Sequence, residues 1–220
     1  PLFGTESLKI GFEYIPLMLA GYFLSPSYAF LVGLCSDVIG LIIVPTGFPF
    51  FGFTLGTILV SVIPSMVHVH FKRVSPTKVL MIVIGLIVIL GVGASLYISQ
   101  LDVVSISDTA YSLKLQDKIT LISLCLLLSL LFVVIILFLK RKINTQEAKT
   151  FSTWILCVVL TEIVVTLCLT PLWLDMMYHI PWTISLCIRV VKECAILPIE
   201  IFIGYSLIPF LRRIWVHLEK

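Results

Sequence analysis

Runs of about 20 mainly apolar residues, separated by proline, glycine or short charged clusters, recur along this chain, and that length is what a helix needs to cross a hydrocarbon layer about 30 Å thick. Seven segments fit the pattern: a short one at 12–24, then 27–44, 52–71, 78–98, 119–139, 152–174 and 183–209. Strand-like alternation is absent from them. In lipid every backbone polar group must find a partner inside the protein, so the expected fold class is an all-α integral membrane bundle of about seven transmembrane helices, not a barrel. Composition agrees, because 60% of the 220 residues are apolar and only 12% are charged, too few charges to coat a water-soluble domain. The lipid bilayer is the first partner implied.

Lysine and arginine give the orientation, since short cytoplasmic loops hold the excess of positive charge. One side collects Lys72, Arg73 and Lys78, then Lys140, Arg141, Lys142 and Lys149, then Arg212, Arg213 and Lys220. The other side holds Lys9, Lys114 and Lys118, while Arg189 and Lys192 fall inside the last span. The carboxyl terminus is therefore expected in the cytoplasm, and 1–11, 45–51, 99–118 and 175–182 together on the outer face. Residues 1–11 lack the basic start and apolar centre of a cleavable signal, so an outside Pro1 leads us to expect a further helix ahead of it. The net charge of +3 lies in short clusters with no aromatic-studded basic face, which leaves no support for a nucleic-acid partner.

Six cysteines lie in apolar runs with no CxxC pair and no histidine at metal spacing; they read as small lipid-phase side chains, not a disulfide or zinc framework. His68 and His70, two residues apart, suit neither a zinc pair nor a relay and read as interfacial. No GxxxxGK[ST], GxSxG or HExxH occurs, so no enzyme activity, metal or cofactor is expected, and nothing in the chain can hydrolyse a nucleotide or a peptide by a known motif. The segment from Phe210 to Lys220 reads as an amphipathic cytoplasmic anchor.

The loop Pro45-Thr46-Gly47-Phe48-Pro49-Phe50-Phe51-Gly52-Phe53-Thr54 joins two spans on the outer side. Its prolines and glycines fix a turn-rich path, and its phenylalanines offer ring faces to a flat aromatic ligand or, equally, an anchor in the membrane interface. Ionisable groups at membrane depth cost about 2.5 to 3.5 kcal/mol each on insertion scales, so each calls for a partner or a polar cavity. In the last span Arg189, Glu193 and Glu200 fall within about 40° of one another on a helical wheel, with Lys192 about 60° to the other side, so the stripe should point inward. Arg189 either holds a ligand carboxylate in its two-pronged guanidinium or forms an internal ion pair with Glu193. Glu162 and Asp37 are the other acids at depth, Glu162 as a candidate partner of Lys192.

The stretch IGFEYIPLMLAGYFLSPSYAFLVGLCSDVIGLIIVPTGFPFFGFTL, with its Gly11-Phe12, Pro16, Pro26, Asp37 and Gly40 and the following PTG-aromatic-GFTL loop, resembles the substrate-binding S components of energy-coupling-factor vitamin importers, most closely the folate-specific branch. TPLWLDMMY (Thr170 to Tyr178) and IRVVKECAILPIEI (Ile188 to Ile201) resemble the last two helices of that branch. The resemblance implies one membrane domain over 1–220, in which 1–75 and 150–210 form a six-helix core lacking its first helix and 76–149 is an inserted helical hairpin. The chain departs from the family in that hairpin and at Pro171, where a polar pair usually precedes the tryptophan. Phe48, Phe50, Phe51, Phe53, Trp173, Tyr178, Arg189 and Lys9 are the ligand-binding residues expected, with Ala29, Gly33, Asp37 and Gly40 (and Ser36 beside them) in helix packing. By the same resemblance the protein sits in a bacterial plasma membrane, captures a folate-like vitamin from outside, and delivers it with a transmembrane coupling subunit and two ATPase subunits. Capture of another flat vitamin of riboflavin or thiamine-like type, or a non-transporting scaffold or sensor role, are the alternatives.

Overall fold

The computed structural model describes residues 14–43, 50–71, 73–100, 103–106, 109–112, 114–142, 145–178 and 182–218. All seven expected segments are helical: α1 (Tyr14–Phe23), α2 (Pro26–Ile43), α3 (Phe51–Phe71), α4 (Pro76–Gln100), α5 (Leu115–Lys142), a sixth rod made of α6 (Thr145–Thr161), a π-helical stretch (Glu162–Leu169) and α7 (Thr170–Tyr178), and α8 (Trp182–Leu218). Among the described residues five of these rods are long and apolar enough to cross a membrane, namely α2, α3, α4, α5 and the sixth rod. The protein is a multi-pass, all-α membrane bundle. α1 has only 10 described residues, and α8, with 37, runs on through the segment expected as a separate anchor.

Local chemistry fixes several of the helix starts. α2 and α4 each begin Ser-Pro: the Ser25 carbonyl accepts from the Ala29 amide at 2.9 Å, the Ser75 hydroxyl accepts from the Lys78 amide at 3.5 Å, and Pro26 and Pro76 occupy the first helical position, where no N–H is needed. At α5 the Asp117 carboxylate reaches back to the Lys114 amide at 3.1 Å, the reciprocal arm of a capping box.

The connection between α4 and α5 carries a small element that the helical pattern does not show. It contains an antiparallel two-stranded ribbon, β1 (Val103–Ile106) and β2 (Thr109–Ser112), with Val103 opposite Ser112 and Ile106 opposite Thr109. Its two strands are only four residues each and are joined by two residues, too short a stretch to read as strands beside helical runs, but enough for a tight hairpin between antiparallel helix ends. β1 lies against α8.

The centre of the bundle is α6. Every residue from Phe151 to Val159 is buried, the mark of a helix surrounded by others, and α1, α3, α4 and α8 pack around it. Outer faces carry apolar side chains instead: Ile42, Ile43, Leu127 and Leu130 are all more than 60% exposed, as expected where lipid and not water is the solvent. Cys35 and Cys168 are exposed and Cys125 and Cys157 buried, and all four are free thiols. The His68 ring lies tilted against Tyr22, centroids 4.3 Å apart, and His70 Nδ1 lies 2.8 Å from the Met66 carbonyl.

Candidate functional site

α2 and α3 set the frame for one end of the site. Small residues let their backbones meet: a side chain at Gly33 would lie 2.6 Å from Ser61 Oγ and 2.7 Å from Ile58 Cα. In the same seam Ser61 Oγ donates to the Ala29 carbonyl at 2.8 Å, and Thr57 Oγ1 donates to Asp37 Oδ1 at 3.2 Å. Ala29, Gly33 and Asp37 thus lie in one helix-packing seam. Gly40 does not: it is exposed and has nothing within 4 Å of an added Cβ. No neighbour among the described residues uses its small size. Ser36 is likewise exposed.

At the amino-terminal end of α3, Phe50, Phe53 and Trp173 form an aromatic trio. The Phe50 ring stands edge-on to Phe53, centroids 5.7 Å apart, and edge-on to Trp173 at 5.9 Å, the geometry that ring quadrupoles favour. Gly52 makes this approach possible, since a Cβ there would run into the Phe50 ring and lie 2.6 Å from Trp173 Cδ2. The Trp173 Nε1–H is buried without a hydrogen-bond partner among the described residues. A buried donor of this kind calls for an acceptor. Gly52 was not among the site residues expected from sequence, although its place between two phenylalanines is the one available clue.

The other expected residues are placed differently. Phe51 points away from the trio and is 77% exposed, and Tyr178, at the end of α7, is half-exposed. Phe48 and Lys9 lie outside the described residues. Arg189 is buried on α8, where its Nε donates to Ser185 Oγ at 3.3 Å. The Glu193 ion pair is with Lys192, Nζ to Oε1 3.7 Å. α7, which carries Trp173, packs against both α3 and α8, and so links the aromatic trio to the helix that carries Arg189.

The sixth rod explains why buried acids gather below this point. Pro171 has no N–H to give and its ring would press on the carbonyl one turn back. The helix widens ahead of it to i→i+5 bonding, and both the backbone N–H and the hydroxyl of Thr170 go to the Val165 carbonyl, the latter at 2.7 Å. Glu162 opens this wide segment. It sits 2% exposed against Glu193 and Glu200 of α8, a grouping across two helices that the sequence spacing of α8 alone does not reveal.

No family model matches the chain, and no solved structure matches it. The sequence is similar to that of the folate transporter FolT of Clostridium novyi (strain NT), 41% identical over 86 residues, which make up 39% of this chain and 49% of that protein. The chain thus aligns with about half the length of that curated relative.

Proposed function

We propose that this protein is the substrate-capturing subunit of a bacterial energy-coupling-factor importer, that it is not an enzyme, and that its ligand is a folate-like vitamin. The observation that carries the reading is the 41% identity to a folate transporter, in a chain folded as a multi-pass helical bundle. The chemistry of the described residues suits such a ligand. Phe50, Phe53 and Trp173 offer ring edges and faces to a flat heterocycle, the Trp173 indole offers a buried donor, and Arg189 offers a guanidinium to a carboxylate.

In this reading the ligand enters from outside between the aromatic loop and the outer ends of α7 and α8. A transmembrane coupling subunit and two ATPase subunits supply the work of translocation, the carboxyl terminus is cytoplasmic, and residues 76–149 are a helical hairpin inserted into a six-helix core. The test is purification from cells grown with folates, followed by identification of the small molecule that travels with the protein and by titration with folate. Co-purification of a folate together with tight binding supports the reading. A different flat vitamin would keep the subunit type and change the ligand, and no bound vitamin and no ATPase partner would point to a scaffold.

A further inference from the structure

Apart from the ligand mouth, and independent of which vitamin it takes, we propose that a groove between α5, α6 and α8 binds a phospholipid whose headgroup ends in a primary ammonium. One acyl chain lies in the groove, with the ammonium on Glu147 and the phosphate on Lys140. The groove offers about 270 Å³ between Phe132 and Ile136 of α5, Phe151 and Ile155 of α6, and Pro198 and Ile201 of α8. An apolar cavity of about 150 Å³ is already enough to stay dry and admit a small hydrocarbon.

The walls and their surroundings decide what fills it. The side chains named carry no polar atom, so water in the groove would lack the two to four polar partners it needs. Phe202, also in the lining, is 67% exposed, so the groove opens sideways onto the outer surface of the bundle. In a membrane-spanning bundle, lipid stands against that surface. The occupant is therefore hydrocarbon.

Charge at one end of the groove selects the headgroup. Ile155, Phe151 and Glu147 follow one another at four-residue steps along α6, and Lys140 follows Ile136 at the same step on α5. Each apolar stripe thus ends on one charge, of opposite sign on the two helices, and both charged residues are exposed. Tyr205 of α8 holds the acidic one: its hydroxyl donates to Glu147 Oε2 at 3.3 Å, and its ring stands edge-on to Phe151, centroids 5.1 Å apart. Eight residues from Glu147 to Ile155 span about 12 Å of helix, which fits within one leaflet, half of a hydrocarbon layer about 30 Å thick. A carboxylate and an ammonium at the same end match a zwitterionic headgroup. A primary ammonium can donate hydrogen bonds to the Glu147 carboxylate, which the trimethylammonium of choline cannot, and an anionic headgroup meets Glu147 with like charge.

The test is thermal unfolding of the purified full chain in maltoside detergent supplemented with dioleoyl phosphatidylethanolamine, or with phosphatidylcholine or phosphatidylglycerol bearing the same chains. The expected result is a midpoint that rises saturably with phosphatidylethanolamine, as ligand linkage requires, and that needs more of either other lipid for the same shift. Glu147→Gln, at an exposed position and still an acceptor for Tyr205, is expected to fold and to weaken the phosphatidylethanolamine response by about 2- to 5-fold, the scale of one exposed ion pair. The phosphatidylglycerol response should hold or strengthen. Ile135→Phe, which fills the groove from α5, should weaken all three responses; should it fail to fold, the Glu147→Gln comparison decides. Equal responses to the three lipids, or a headgroup preference that survives Glu147→Gln, overturns the proposal. So does the lack of response to any lipid that is expected if a helix of a partner subunit fills the groove.

Discussion

The Trp154 indole donates its Nε1–H across the bundle to the Ile201 carbonyl at 3.2 Å, and the same ring closes over Gly204 one turn further along α8. A side chain at 204 would collide with that ring. Gly204→Ala is therefore expected to destabilise the protein by about 1 to 3 kcal/mol, the range for overpacking a filled interior. In a Trp154→Leu background the ring is gone and the cost should fall sharply. A double-mutant cycle read by detergent melting checks this, and additive costs would mean that the two residues do not meet.

The glycines of the chain should divide by location. At Gly21 an added Cβ would fall on the Ser61 backbone carbonyl, and at Gly33 on Ser61 and Ile58, whereas Gly40, Gly85 and Gly93 meet nothing within 4 Å. Alanine at 21 or 33 is expected to lower the melting temperature clearly. Alanine at 40, 85 or 93 should be neutral or raise it slightly, because alanine is the better helix former by about 1 kcal/mol. A loss at Gly40 equal to that at Gly33 would mean that Gly40 also meets a neighbour.

Within the aromatic trio, Trp173→Phe keeps a ring against Phe50 but removes the buried donor. Affinity for folate is expected to fall by about 3- to 10-fold with little change in melting, the effect of one lost neutral hydrogen bond. Gly52→Ala should cost more, because it pushes Phe50 and Trp173 apart. Titration of folate against the solubilised variants measures both, and unchanged affinity in the two variants would remove the trio from the site.

Replacing Arg189 by methionine preserves length and apolar packing while deleting the guanidinium. If Arg189 binds the ligand carboxylate, affinity should weaken by about 2 to 5 kcal/mol, as for a buried charge pair that loses one member. If it serves only to balance Glu162 and Glu193, melting will fall and the affinity of the surviving protein will hold. Running the titration and the melting curve on the same preparation separates the two.

Topology can be read by single-cysteine labelling in a background with the native cysteines replaced. Lys114 and Lys140 stand exposed near opposite ends of α5. Cysteine at 114 should react with an impermeant reagent from outside intact cells, and cysteine at 140 only after the membrane is opened. Reaction of both from one side would overturn the assigned orientation.

Much of the architecture was determined by the sequence alone, for a simple physical reason. A chain that must satisfy its backbone in lipid has few choices, so apolar runs of sufficient length became helices, the first four within about two residues of the expected bounds and the later ones extended by up to about nine, and the Ser-Pro steps at 25–26 and 75–76 marked where two of them start. The inward stripe on α8 followed from helical periodicity, and Arg189, Glu193 and Glu200 are all buried. What one helix cannot reveal is its neighbour. Only tertiary packing set Gly52 beneath the Phe50 and Trp173 rings, left Gly40 in the open, and brought Glu162 to Glu193 and Glu200. Each of these depends on an interhelical register fixed by close contact between helices, and on a π-helical stretch whose wider turns redirect Glu162, whereas sequence periodicity defines faces only within a single regular helix.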